Sequence, residues 1–114
     1  MKQVIHVDNS EFFRKLMKTF LSEGGFVSKN FERGEDALEA VNAGEALFVI
    51  TGLTLKDMSG EELIKRISAS PSPVPVIVVT SNDNEVESKR LESLGVQAII
   101  HKNSNWKDEL HNII

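Results

Sequence analysis

Several side chains in this sequence stand where short apolar runs give way to polar residues, and their types could act together on a phosphoryl or carboxyl group. Asp8 and Asn9 follow Val4-Ile5-His6-Val7, Thr80 and Ser81 follow Val76-Ile77-Val78-Val79, and Lys102 follows Ile99-Ile100-His101. A carboxylate such as Asp8 is a hard oxygen ligand suited to Mg²⁺. A hydroxyl such as that of Thr80 can donate to an anion, and Lys102 can supply a point charge for phosphate or carboxylate. Each also has a plainer reading. Asp8-Asn9-Ser10-Glu11 ahead of an apolar stripe has the form of a capping box. Thr80-Ser81 could end a strand and cap the next helix, and a lone lysine can simply be solvated. His6, His101 and His111 share no ligand spacing and read as structural. Neither a G-x-G-x-x-G fingerprint nor a Walker loop is present, which weighs against a nucleotide site.

These residues must be positioned by one small domain. A chain of 114 residues has room for a single core, and an apolar share of 40% is too high for a disordered tail. Thirteen Lys and Arg against seventeen Asp and Glu leave a formal charge of −4. That balance argues against a surface that tracks nucleic-acid phosphates, so no direct nucleic-acid contact is expected. With no cysteine, disulfides, zinc-thiolate sites and thiol nucleophiles are excluded. The opening Met1-Lys2-Gln3 has no signal-peptide layout, and no apolar run approaches bilayer length. The expectation is a soluble, cytoplasmic domain with no membrane contact.

A β-like run followed by a helical pattern recurs five times. The runs are Gln3 to Val7, Val27 to Phe31, Leu47 to Thr51, Val74 to Val79 and Val96 to Ile100. Four of them are rich in Val and Ile and nearly unbroken, as in strands covered on both faces. The second, Val27-Ser28-Lys29-Asn30-Phe31, is the most polar and belongs at a sheet edge. Between the runs, Phe13, Leu16, Met17, Phe20 and Leu21 form a helical stripe that ends at Gly24-Gly25. Further helical patterns span Glu35 to Ala43, Gly60 to Ala69, Glu85 to Leu94 and Trp106 to Ile114. Such alternation implies a parallel sheet with right-handed crossovers. The fold class is therefore α/β, a flavodoxin-like three-layer sandwich with sheet order 2-1-3-4-5. Its functional crevice lies at the carboxyl ends of the strands, which is where Asp8, Asn9, Gly52, Thr80, Ser81 and Lys102 fall.

Taken jointly, these residues resemble the receiver domains of two-component response regulators, over essentially the whole chain. Val7-Asp8-Asn9-Ser10 is similar to the family's acidic-pair motif, and Phe48 through Leu63 to its third strand and following loop. Val76 through Ser81 is similar to the switch-hydroxyl strand, and Ile99-Ile100-His101-Lys102-Asn103 to the strand that ends in Lys-Pro. The resemblance implies that the third strand should end in an aspartate that accepts a phosphoryl group from a histidine kinase. Aligned on Met58-Ser59-Gly60, that position is Gly52. Asn9 replaces the second acid, Ile99 the frequent aromatic, and Asn103 the proline. Only Asp8 keeps a charge at the metal site, so Mg²⁺ binding should be weak or absent, and no other cofactor is expected.

The leading expectation is a pseudo-receiver, not an enzyme, that works by binding a signalling protein or a fused output or kinase domain. By resemblance its contact face is the fourth helix, fifth strand and fifth helix, with Glu87, Arg90, Ile99 and Trp106 as candidates. A homodimer through that face is a further expectation, and Trp106 fits either an interface anchor or the core. Lys102 should contact Asp8. Alternative readings are a phosphoacceptor using a non-standard residue, an engineered change at Gly52, and a small-ligand binder. Among other acceptors Asp57 should point away, Thr51 should face the opposite side of its strand, and Asp8 is the least poor. The apolar ending Ile113-Ile114 reads as residues 1–114 excised from a longer protein.

Overall fold

A computed structural model describes residues 2–114. Along the chain run β1 (Gln3–Val7), α1 (Glu11–Glu23), β2 (Ser28–Phe31), α2 (Gly34–Asn42), β3 (Ala46–Thr51), α3 (Gly60–Ser68), β4 (Val76–Thr80), α4 (Glu85–Ser93), β5 (Ala98–His101) and α5 (Trp106–Ile113). The strands form one parallel sheet in the order β2-β1-β3-β4-β5. The polar run β2 is an edge strand, as its composition requires.

Strand alternation divides the core in two. Ile5, Val7, Val49 and Val78 pack with Ala37 and Val41 of α2, Leu63, Ile64 and Ile67 of α3, and Leu91 of α4. Val4, Ile50, Ile77, Val79 and Ile100 pack with Phe13, Met17 and Leu21 of α1 and Trp106 and Leu110 of α5. Helices on both faces explain why the inner strands read as unbroken apolar runs. Three strands start later than the apolar runs do. Val27, Val74 and Val96 lie outside β2, β4 and β5, although Val27 still accepts a backbone bond from Val4. Prolines 73 and 75 flank Val74, and neither has an N–H to donate to a ladder.

Trp106 belongs to the core. It is 8% exposed, with ring centroids of Phe13 and Phe20 at 5.0 and 5.3 Å. Its reading as an interface anchor is therefore corrected: its helical register with Leu110 turns the indole inward. The capping box is corrected too. Ser10 is the N-cap of α1 and accepts from the Phe13 amide, while Glu11 pairs with Lys15.

Two glycines stand at close approaches, Gly60 against backbone that cannot yield and Gly34 against a side chain that can. At Gly60, the first residue of α3, a β-carbon would collide with the Gly52 carbonyl oxygen and the Leu53 backbone. At Gly34 it would lie 2.6 Å from Met58 Sδ. The segment between β3 and α3 is thereby pressed against both ends of its surroundings. Lys56 N donates to Glu32 O, and the Asp57 carboxylate receives the amides of Gly34 and Glu35 at 2.6 and 3.1 Å. Asp57 thus caps α2, whose own N-cap, Arg33, makes no side-chain cap bond.

Candidate functional site

At the carboxyl ends of the strands lies a cleft of about 370 Å³, lined by Asp8, Asn9, Gly52, Thr80, Ser81 and Lys102 among others. All six residues marked by the sequence are thus brought together. Asp8 is buried, and its backbone is held by Phe31 O and by Arg14, whose Nη1 donates to the Asp8 carbonyl at 2.7 Å. Its Oδ1 accepts from the Ser10 amide at 2.9 Å. Oδ2 lies 2.9 Å from Lys102 Nζ, off the direction of a proper hydrogen bond, and has no other donor among the described residues. The contact between them is chiefly coulombic.

Lys102 has a second partner that the sequence did not suggest. Its ammonium sits over the Phe13 ring, 4.2 Å from the centroid, where the ring's negative face attracts it. Phe13 is the first apolar residue of the α1 stripe, and nothing in its spacing separates a core phenylalanine from one that seats a cation. Gly52 is buried; a β-carbon there would lie 2.9 Å from Asp8 Oδ2. The Thr80 hydroxyl accepts from the Asn82 amide at 3.0 Å, and the Thr80 carbonyl receives the Lys102 amide.

The candidates assigned to a partner face are distributed differently. Glu87 lines the cleft itself and accepts from Asn82 Nδ2 at 2.6 Å. Arg90 pairs with Glu61 of α3 at 2.7 Å, and Ile99 is half-buried on the face that carries α2, α3 and α4. Neither of the other acceptor candidates lines the cleft: Thr51 is buried and donates to Gly52 O, and Asp57 caps α2. The backbone amides it receives outweigh a desolvation effect in the opposite sense and hold the Asp57 carboxyl below its usual range.

His6 is fully buried on the same side of β1 as Asp8. Burial lowers its pKa to about 4, against the opposing pull of Asp8 and of the Asn30 bond. Nδ1 is paired with Asn30 Oδ1 at 3.1 Å, but among the described residues Nε2 has no partner, nor has Nε2 of His101. His6 is therefore only half satisfied. Among the described residues, no group of three or more His, Cys, Asp or Glu side chains converges as a metal site would require. No helix among them is long and apolar enough to cross a membrane.

Residues 4–114 match the response regulator receiver domain, and the chain belongs to that family. Receiver domains of this kind serve two-component signalling, where they interact with kinases or output domains. Among solved structures, the chain is similar to the signal receiver domain of a protein described as a Luxo repressor from Vibrio parahaemolyticus. That likeness has 25% identity and a TM-score of 0.87, over 98% of this chain and 86% of that one. A CheY-like receiver domain protein from Methanospirillum hungatei matches at 24% identity and TM-score 0.84, over 99% and 90% of the two chains. The N-terminal domain of a response regulator receiver protein from Methanoculleus marisnigri matches at 25% and 0.78, over 96% and 91%.

Proposed function

We propose that this receiver domain is a pseudo-receiver, a regulatory module that binds a protein partner without being phosphorylated on the usual residue. The observation that carries the reading is Gly52 at the end of β3, beside Asp8 and Lys102. An acyl phosphate needs a carboxylate oxygen as nucleophile, and glycine has none. The lysine that would meet a phosphoryl oxygen is engaged by Asp8 and Phe13 instead.

The residues present do not fit the divalent cation that receivers commonly use. Mg²⁺ requires near-octahedral oxygen ligands and is usually held through carboxylates. Here Asp8 Oδ1 is committed to the Ser10 amide and Oδ2 to an ammonium, Asn9 is uncharged, and Glu87 accepts from Asn82. The domain then performs no catalysis and carries no cofactor. Its partner is a kinase, an output domain or another signalling protein, and it acts in the cytoplasm without touching nucleic acid directly.

Intact-mass measurement after incubation with a small phosphodonor and Mg²⁺ tests this reading. The expected spectrum shows no added phosphoryl group. One phosphoryl group mapped to Asp8, the carboxylate beside Lys102, would overturn it in favour of an unconventional phosphoacceptor.

A further inference from the structure

The aromatic contacts around Lys102 lead away from the cleft in one direction. Lys102 Nζ is held between Asp8 Oδ2 at 2.9 Å and the face of Phe13 at 4.2 Å. The Phe13 centroid lies 5.0 Å from that of Trp106, which lies 5.3 Å from that of Phe20. These rings form the layer beneath α1 and α5. Over them opens a groove of about 300 Å³, bounded by Phe12, Leu16, Lys102, Asn103 and Trp106, with Phe12 74% exposed.

The other way out of the cleft is poorly built for coupling. Ile99 on β5 is aliphatic and half-buried on the sheet face that carries α4, and α4 itself buries only Leu91. On the surface α4 is fastened to α3 by Arg90 and Glu61, and its Glu87 holds Asn82 of the loop that leads into it.

We propose that the pairing state of Asp8 and Lys102 is transmitted through Phe13 and Trp106 to the α1–α5 face rather than through α4. This rests on the phosphorylation-independent reading, since it replaces phosphoryl charge with the placement of one ammonium. When Lys102 loses Asp8, the cation is no longer held over the Phe13 face. In an interior packed at native density, displacement of one ring is passed to the ring in contact with it. The coupling is therefore a property of adjoining groups with more than one arrangement, and it can be measured as such.

Trp106 is the sole tryptophan and the chain has no tyrosine, so intrinsic emission reports this position alone. Asp8→Asn and Lys102→Met should each change the intensity or wavelength of that emission. They should also speed amide hydrogen exchange several-fold in α1 and α5 while leaving α4 unchanged. Lys102→Arg, which keeps a cation, should restore the signal, and in a Phe13→Leu background Asp8→Asn should no longer alter it. Unchanged emission, or exchange changes confined to α4 and β5, would overturn the inference. If Lys102→Met fails to fold, Asp8→Asn and Lys102→Arg decide the matter. Intact mass recorded on the same samples separates the two readings. Added phosphate counts against the pseudo-receiver, whereas silent emission on unmodified protein counts against this route alone.

Discussion

The β-carbon that Gly52 lacks would lie 2.9 Å from Asp8 Oδ2 and 3.3 Å from Asp8 Cγ. Glycine at this position and the inward placement of the Asp8 carboxylate are therefore one feature. The same Oδ2 lies against Lys102 Nζ. A side chain at 52, including an aspartate, has to displace Asp8 and with it the partner of Lys102.

Gly52→Ala should accordingly destabilise the domain by about 1–3 kcal/mol, the usual cost of overpacking. Gly52 does not have a positive φ, so the cost is steric. Urea midpoints measured in the wild type and in an Asp8→Ala background check this. With the carboxylate gone the alanine should cost almost nothing, and an equal cost in both backgrounds would disprove the contact.

Removing the ammonium leaves Asp8 buried with an uncompensated charge. The Lys102 side chain keeps 22% of its surface in water while that of Asp8 keeps 5%, so the pair is buried on one side only. Lys102→Met should cost about 3 kcal/mol, the lower end for breaking a buried pair. Asp8→Asn, which retains an oxygen for the Ser10 amide, should cost less. Denaturation of both variants in one buffer gives the order, and the reverse order refutes it.

Stability should depend on His6 between weakly acidic and acidic pH. The unfolded imidazole titrates at 6.5, and burial lowers the folded value to about 4. The unfolded chain thus binds the proton first as pH falls. The stabilisation is complete above 6.5, declines toward pH 4, and has no further dependence below; in all it is about 3 kcal/mol. His6→Gln, which can still bond Asn30, should flatten a plot of unfolding free energy against pH across that window. A slope identical to the wild type would show that other groups carry it.

Asp57→Ala should free the amides of Gly34 and Glu35 and cost about 1 kcal/mol, the common value of a lost helix cap. Because the folded carboxyl titrates below 3.8, the cap is fully present above that value and is lost as pH falls through the folded one. Exchange of the first α2 amides is the local readout. It should accelerate in the variant, and unchanged protection there would contradict the capping role.

Much of the architecture was open to inspection in the residues themselves. Unbroken Val/Ile runs, a polar second run and helical stripes closed by glycine are local patterns. They arise because side chains repeat every two residues in strands and every 3.6 in helices. Gly25, Gly44 and Gly95, just past three helices, adopt the positive φ expected of helix-terminating glycines. Parallel order followed from the alternation of elements, and it placed Asp8, Gly52, Thr80 and Lys102 at one end of the sheet.

Other features had no local signature. Asp8 and Ser10 both have side chains able to cap α1, and spacing alone does not say that Ser10 takes the cap. Asp57 looked like an idle loop acid until the fold brought it to Gly34. Phe13 is a core residue by period, but becomes a seat for an ammonium because α1 lies beside the end of β5. Periodicity is a property of neighbours along the chain, so composition and spacing determined the elements, their order and the location of the cleft. Pairings between distant residues depend on where whole elements come to rest. The Asp8–Lys102 contact was within reach of the sequence, but the Phe13 seat of Lys102 and the Gly34 and Glu35 partners of Asp57 were decided only by the packed structure.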